Sequence, residues 1–214
     1  MSSQLTLPLE HRAAMTRGDF ILAPGNARAF SFLDAWPDWA APAAALVGPS
    51  ASGKTHLAHI WAARSAAPLI AARDLKEILA GPVVIENAET GFGNESALFA
   101  MLEAGAPLLL TAREAPAHWP AALPDLSSRF RALVTFELGA PDEALLLALA
   151  VKLFADRQLT VPESVVTHLV RQLERSPAAI RDFIARADKA ALAAQKPINL
   201  QLIRALMAGP TTLS

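Results

Sequence analysis

The 214-residue chain contains no cysteine and no tyrosine, and it carries almost no net charge: 19 Lys and Arg against 20 Asp and Glu, or −1 at neutral pH. Without cysteine there is no disulfide framework, no thiol nucleophile and no thiolate metal site. Without a charge excess there is no global basic field to attract phosphates, so DNA binding through bulk charge is not the first expectation. No apolar run is long enough for a membrane span, and the N-terminus lacks the basic stretch followed by an apolar one that marks a secretion signal. His11, His56, His59, His118 and His168 show no ligand spacing, so no His-bound metal is expected. What is present is 53% hydrophobic residues, inflated by alanine, with 18% charged residues. That is too apolar for disorder and long enough for one large domain or two small ones. The expectation is a cytoplasmic protein.

Met1–Arg17 has no helical period and reads as a flexible tail. Asn26–Trp36 has the apolar spacing of a helix, broken by Pro-rich Trp36–Pro42; Trp36 and Trp39 read as packing residues. Strands are expected over Ala43–Val47, Pro68–Ala71, Val83–Glu86, Leu108–Thr111 and Leu133–Leu138, and helices over Gly53–Arg64, Arg73–Leu79 and Glu95–Glu103. Strands alternating with helices predict a parallel sheet covered on both faces, an α/β core over residues 18–140. From Pro141 the pattern is helical only. Asp142 caps one helix, Pro162 and Ser176–Pro177 start two more, and Asn199 caps a last one before Gly209–Pro210. Residues 141–214 are therefore expected to form a small all-α lid.

Gly48-Pro49-Ser50-Ala51-Ser52-Gly53-Lys54-Thr55 satisfies the G-x-x-x-x-G-K-[ST] pattern, with a strand before it and a helix after it. Glycines allow backbone N–H groups to turn inward around phosphate oxygens. Lys54 supplies a positive charge, the Thr55 hydroxyl can ligand Mg²⁺, and the following helix points its positive end at the anion. Val83–Glu86 is the only good candidate for the acidic strand such a loop requires, which makes Glu86 the second Mg²⁺ group. The next residue is Asn87, whose amide orients a water but accepts no proton. Glu89 lies beyond the strand end. Nucleotide binding with slow or absent hydrolysis follows. Thr111, ending an apolar strand, is either structural or a hydrogen-bonding partner of the γ-phosphate or the attacking water. Arg129 in Ser127-Ser128-Arg129-Phe130 and Arg181 on the long helix are each either surface arginines or phosphate partners.

In this order, the pieces resemble the AAA+ ATPases, and among them the branch of the bacterial replication initiator DnaA and the Hda-type regulators of replication initiation. Phe20-Ile21-Leu22-Ala23-Pro24-Gly25-Asn26 resembles the segment that packs on the adenine side, so Ile21, Leu22 and Asn26 are implied nucleotide-binding residues. Gly53-Lys54-Thr55-His56-Leu57 is similar to that branch's P-loop end, Thr111 to sensor 1, Ser128-Arg129-Phe130 to the arginine-finger box, and Ala179-Ile180-Arg181-Asp182 to the sensor 2 helix of the lid. The resemblance spans about residues 20–208. Gln4-Leu5-Thr6-Leu7-Pro8-Leu9 resembles the peptide by which Hda-type proteins dock on the β sliding clamp of the replicative polymerase. In an extended chain Leu5, Leu7 and Leu9 share one side, and Pro8 holds the peptide open.

The resemblance implies a nucleotide-dependent switch holding ADP or ATP with Mg²⁺. It would dock on the DNA-loaded clamp through Gln4, Leu5, Leu7, Pro8 and Leu9, and reach in trans with Arg129 to ATP on DnaA. Glu86, Asn87 and Thr111 would attend the chain's own phosphates. No helix-turn-helix pattern follows the lid, so contact with DNA is expected to be indirect, through clamp and initiator, with weak self-association left open. Three alternatives compete: a helicase loader or other DNA-bound AAA+ ATPase, a small-molecule P-loop kinase, and a clamp adaptor with a vestigial nucleotide site.

Overall fold

The computed structural model describes residues 15–208. The clamp-type peptide Gln4–Leu9 therefore lies outside the described residues. Five strands form one parallel sheet in the order β2-β3-β4-β1-β5: β1 (Ala43–Val47), β2 (Leu69–Ala71), β3 (Val83–Glu86), β4 (Leu108–Ala112) and β5 (Val134–Glu137). Helices α1 (Ala27–Asp34), α2 (Lys54–Ser65), α3 (Glu95–Glu103) and α4 (Pro124–Ala132) cover it. The central strands β1 and β4, Ala-Ala-Ala-Leu-Val and Leu-Leu-Leu-Thr-Ala, are buried at every residue, as strands covered on both faces must be.

Because successive side chains point to opposite faces, each strand feeds two cores. Ala44, Leu46, Val84 and Leu109 pack with Leu33, Leu57 and Trp61 on the α1/α2 face. Ala45, Val47, Ile85 and Leu110 pack with Leu98, Met101, Leu126 and Phe130 on the α3/α4 face. By the same alternation Glu86 and Thr111, at the C-terminal ends of adjacent strands, share the α1/α2 face. Trp36 and Trp39 pack on Trp61, the latter stacked at 4.7 Å, and so belong to the core rather than the lid.

Helices α5 (Glu143–Asp156), α6 (Glu163–Gln172), α7 (Pro177–Ala194) and α8 (Leu200–Ala208) close a separate third core around Leu149, Leu169, Ile180, Phe183 and Ile203. The expected caps are in place: the side chains of Asp142, Ser176 and Asn199 accept from the N–H groups of Leu145, Ala179 and Leu202 at 2.7, 3.0 and 2.9 Å. Pro162 precedes α6 rather than opening it. Among the described residues no helix is long and apolar enough to cross a membrane.

Two expectations need correction, and one helix was not anticipated. Arg73–Leu79 is not a helix; only a 3₁₀ turn, Ala72–Asp74, forms there. One carbonyl of the stretch and one just before it are engaged by the crossing loop: Asn94 Nδ2 donates to Lys76 O at 2.8 Å, and Gly93 N–H donates to Ala72 O at 3.0 Å. A side chain at Gly93 would meet Arg73 O at 2.3 Å, so the close crossing itself depends on that glycine. Conversely, the segment after Pro124 is a nine-residue helix, with Pro124 in its first turn and Leu126 and Phe130 buried four apart. Finally, residues 15–17, read as tail, pack on the core: Arg17 bridges to Asp34 at 2.5 Å and lies over the Phe30 ring.

Candidate nucleotide site

The G-x-x-x-x-G-K-T loop leaves β1 at its C-terminal end and runs into α2. Gly48 has φ +147°, and a Cβ there would lie 2.1 Å from Leu138 O, so only glycine fits where the loop passes the end of β5. Ala51 and Gly53 also take positive φ, 63° and 100°. Left-handed residues beside right-handed ones are how backbone N–H groups come to form an anion nest; in this loop Ser52 N–H donates to Pro49 O at 3.4 Å. Gly53 is the N-cap of α2, and no side chain caps that end, so the first-turn N–H groups have no side-chain acceptor. The Lys54 ammonium donates to Gly48 O and Pro49 O, both at 2.7 Å, and to Ser52 Oγ at 3.3 Å. Burial lowers its pKa; the charge of Glu89 opposes this and Arg113 adds to it.

A cleft opens between this loop and the lid. Ala51, Ser52, Gly53, Lys54, Thr55 and His56 line one wall; Met15, Asp19, Phe20, Ile21 and Asn26 a second; Leu145, Leu149, Pro177, Ala178 and Arg181 the third. Arg181 sits in the second turn of α7, half-buried, and makes no hydrogen bond or ion pair among the described residues. Burial lowers its pKa, against the raising influence of Asp19 and Asp182. An unpaired guanidinium, an ammonium and uncapped N–H groups facing one cleft fit a polyphosphate.

The N-terminal wall is built by internal bracing. Asn26 Nδ2 donates to Ile21 O, and its Oδ1 accepts from Ala23 N–H, both at 2.9 Å. Its polar atoms hold the turn that presents Phe20 and Ile21. His56 Nε2 donates to Thr16 O at 2.9 Å, and its ring meets Phe20 edge-on at 5.2 Å. Burial lowers the His56 pKa; the Thr16 hydrogen bond and Asp19 oppose this, and Arg181 and His59 add to it.

Several expected site residues thus come together: Ala51, Ser52, Gly53, Lys54, Thr55, Ile21, Asn26 and Arg181 line the cleft. Gly48, Pro49 and Ser50 shape the loop behind it. Leu22 does not join them; its side chain is 59% exposed and turned from the cleft. Thr111 is buried between the P-loop strand and β3, with no hydrogen-bond partner for its hydroxyl among the described residues. Glu86 ends β3, half-buried, on the same sheet face as Thr111, and is not among the residues that line the cleft. Asn87 follows in the left-handed conformation, φ 59°, which asparagine tolerates. Arg129 lies outside the cleft on α4, 51% exposed and ion-paired with Glu103 at the end of α3.

Sequence reasoning missed Asp19, His56, Leu145, Leu149, Pro177 and Ala178 as cleft residues. Only His56, directly after the P-loop Thr, carried a local signal.

No protein-family model matches the chain, and no curated protein matches it. Solved structures do. Domain III of the Thermotoga maritima replication initiation protein DnaA superposes with a TM-score of 0.71 at 16% identity, covering 91% of this chain and 95% of that one. The Thermotoga maritima RuvB Holliday junction branch migration motor gives 0.71 at 17% identity, over 91% of this chain and 71% of that one. The replication initiator DnaA bound to AMPPCP and single-stranded DNA gives 0.66 at 14% identity, over 86% and 69%. The parallel five-stranded sheet with its helical C-terminal region matches the fold of DnaA domain III and of RuvB.

Proposed function

We propose that the protein is a nucleotide-dependent regulator of DNA replication initiation. It binds ADP or ATP with Mg²⁺ in the cleft, docks on the DNA-loaded β sliding clamp through Gln4–Leu9, and stimulates ATP hydrolysis on DnaA in trans, suppressing re-initiation. The observation that carries the reading is the split between the two arginines. Arg181 faces the chain's own cleft, whereas Arg129 stands on the outer surface of α4, where any phosphate it meets belongs to another molecule.

The chain's residues divide the work. Inward-facing loop N–H groups and Lys54 hold the phosphates. Phe20 and Ile21 wall the base. Arg181 joins the lid to the phosphates, so bound nucleotide fixes the angle between core and lid. Thr55 and Glu86 would hold Mg²⁺, which neutralises phosphate charge when bound. Docking on the clamp raises the local concentration of Arg129 at replicated DNA. An arginine finger delivered in trans accelerates hydrolysis by about 10³–10⁵ in GTPase systems.

The deciding experiment is ATP turnover by DnaA on clamp-loaded DNA with and without this protein. No stimulation sinks the reading. A second reading, a DNA-bound AAA+ ATPase or helicase loader, draws on the fold shared with a DNA-bound DnaA and a branch-migration motor. It requires DNA affinity that falls steeply with salt in the absence of clamp and DnaA.

A further inference from the structure

We propose that a groove between α1 and α2 is the docking site for Leu5–Leu9 of the same chain, so that groove and sliding clamp compete for one peptide. The groove contact stands on its own; the consequence for the clamp rests on the proposed function.

The groove is separate from the nucleotide cleft, and only Met15 lines both. Phe30 and Leu33 of α1 and Leu57, Ile60, Trp61 and Ala63 of α2 line it, and its volume is about 410 Å³. Leu33, Leu57 and Trp61 make an apolar floor continuous with the core; Phe30 and Ile60 are half-buried, and Ala63 is exposed. Such a groove has room for more than one leucine side chain at interior packing. Apolar surface facing water is unfavourable in proportion to its area, so an apolar segment within reach is drawn to it.

The chain supplies that segment at the groove itself. Met15, Thr16 and Arg17 form one of its walls. They are anchored there: Thr16 O accepts from His56 Nε2 at 2.9 Å, and Arg17 pairs with Asp34 at 2.5 Å while its guanidinium lies 5.3 Å from the centre of the Phe30 ring. Fourteen residues precede Met15, and Leu9 stands six positions before it. Six residues reach about 20 Å at about 3.3 Å each. Helix α1 is eight residues, about 12 Å, so the tether spans the groove. In an extended peptide Leu5, Leu7 and Leu9 share one side, which suits an apolar floor, and Gln4, Thr6 and Pro8 share the other.

Charge agrees at the rim. Arg17 and Arg64 both bond the carboxylate of Asp34, at 2.5 and 2.9 Å, so among the described residues that line the groove two guanidiniums share one carboxylate. Glu10, next to Leu9, brings a second negative charge. The tether decides the occupant. A segment on so short a linker is present at an effective concentration in the millimolar range, far above a second copy or a foreign peptide at micromolar concentration. A peptide lying in the groove is withheld from the clamp, so apparent clamp affinity falls to the fraction of chains whose peptide is free.

The test exploits the absence of cysteine: in the full chain, Ser3→Cys takes a nitroxide at one position, just outside the peptide. The readout is broadening of the Ile60 methyl signal by the nitroxide, measured against the chemically reduced label. Broadening should be at least about threefold stronger than in the same chain carrying Leu5→Ser, Leu7→Ser and Leu9→Ser. Ala63→Glu, which fills the groove and offsets the rim charge, should remove it to the same extent. Saturating β clamp should restore the Ile60 signal, and Ala63→Glu without the label should bind clamp at least about threefold more tightly than wild type. Equal broadening with leucine and serine peptides overturns the proposal, as does broadening that survives Ala63→Glu or bound clamp. Broadening in a mixture of nitroxide-labelled chains without isotope and isotope-labelled chains without nitroxide makes a second copy the occupant and overturns it too. Should Ala63→Glu fail to fold by circular dichroism, the serine peptide decides. If wild type does not bind clamp at all, the clamp reading fails instead, and the Ile60 signal still judges the groove contact.

Discussion

Phe20 and Ile21, adjacent in sequence, pack into different hydrophobic cores: Phe20 against the α1/α2 face of the sheet, Ile21 against the helical lid. Alternation along an extended segment sends neighbouring side chains opposite ways, and here those ways are two folding units. The cleft lies between them. Ile21→Ala should therefore cost about 1–2 kcal/mol, less than a fully buried truncation because the residue is only half-buried. It should weaken nucleotide binding through the lid without touching the P-loop. Thermal melting and a fluorescent-nucleotide titration measure the two effects, and a lost melting temperature with unchanged affinity would break the link between them.

Lys54→Ala removes the only ammonium among the described residues that line the cleft. Charge-assisted hydrogen bonds contribute about 1.5–3 kcal/mol each, so nucleotide affinity should fall by at least about tenfold. The fold should survive, because the released carbonyls of Gly48 and Pro49 lie in a partly exposed loop. Equilibrium dialysis with ADP, alongside circular dichroism, gives both numbers.

Arg129→Ala should leave the chain's own nucleotide affinity unchanged while abolishing stimulation of DnaA. Breaking the exposed Arg129–Glu103 pair costs no more than about 1 kcal/mol of stability. Deleting Met1–Leu9 should abolish clamp binding and spare nucleotide binding. Either variant behaving as wild type in its own assay removes that part of the proposal.

The sheet was legible because its strands are short apolar runs bounded by glycine and proline. Ala43–Val47 and Val83–Glu86 occur with the bounds expected of them, and α3 does too. The P-loop was legible because one contiguous segment carries its chemistry. What escaped is non-local. His56 belongs to the cleft through a hydrogen bond to Thr16, 40 residues away. Arg73–Leu79 has helical spacing, yet Asn94 captures the carbonyl of Lys76 within it and Gly93 that of Ala72 just before it. Leu22 has the composition of a base-packing residue, but the brace between Asn26, Ile21 and Ala23 turns it outward. None of these outcomes is written in a window of neighbouring residues.

His56 gives a pH dependence with a definite sign. Burial lowers its pKa below the ordinary 6.5, so the fold favours neutral imidazole, with Arg181 and His59 adding to that preference and Asp19 and the Thr16 carbonyl opposing it. Between the lowered value and 6.5 the unfolded chain binds more protons than the folded one, so stability rises with pH there. The contribution is complete above 6.5 and declines as pH falls through the folded value. Wild type should lose more melting temperature than His56→Phe on going from pH 7.5 to 5.5. Equal losses would show that the imidazole is not responsible.

Helix α7 has a mechanical consequence. It runs 18 residues from Pro177 to Ala194, about 27 Å at 1.5 Å per residue. Arg181 sits one turn from the end that faces the cleft, and Leu192, 79% exposed, sits near the other. Ile180, Phe183, Ile184, Ala187 and Ala191 bury the helix in the lid core, so it turns with the lid as one body. A tilt of about 10° at that end sweeps the far tip through about 5 Å by the same rise. On the proposed reading, a tilt of α7 that follows the gain or loss of a phosphate at Arg181 is felt at Leu192 as a displacement of several ångströms.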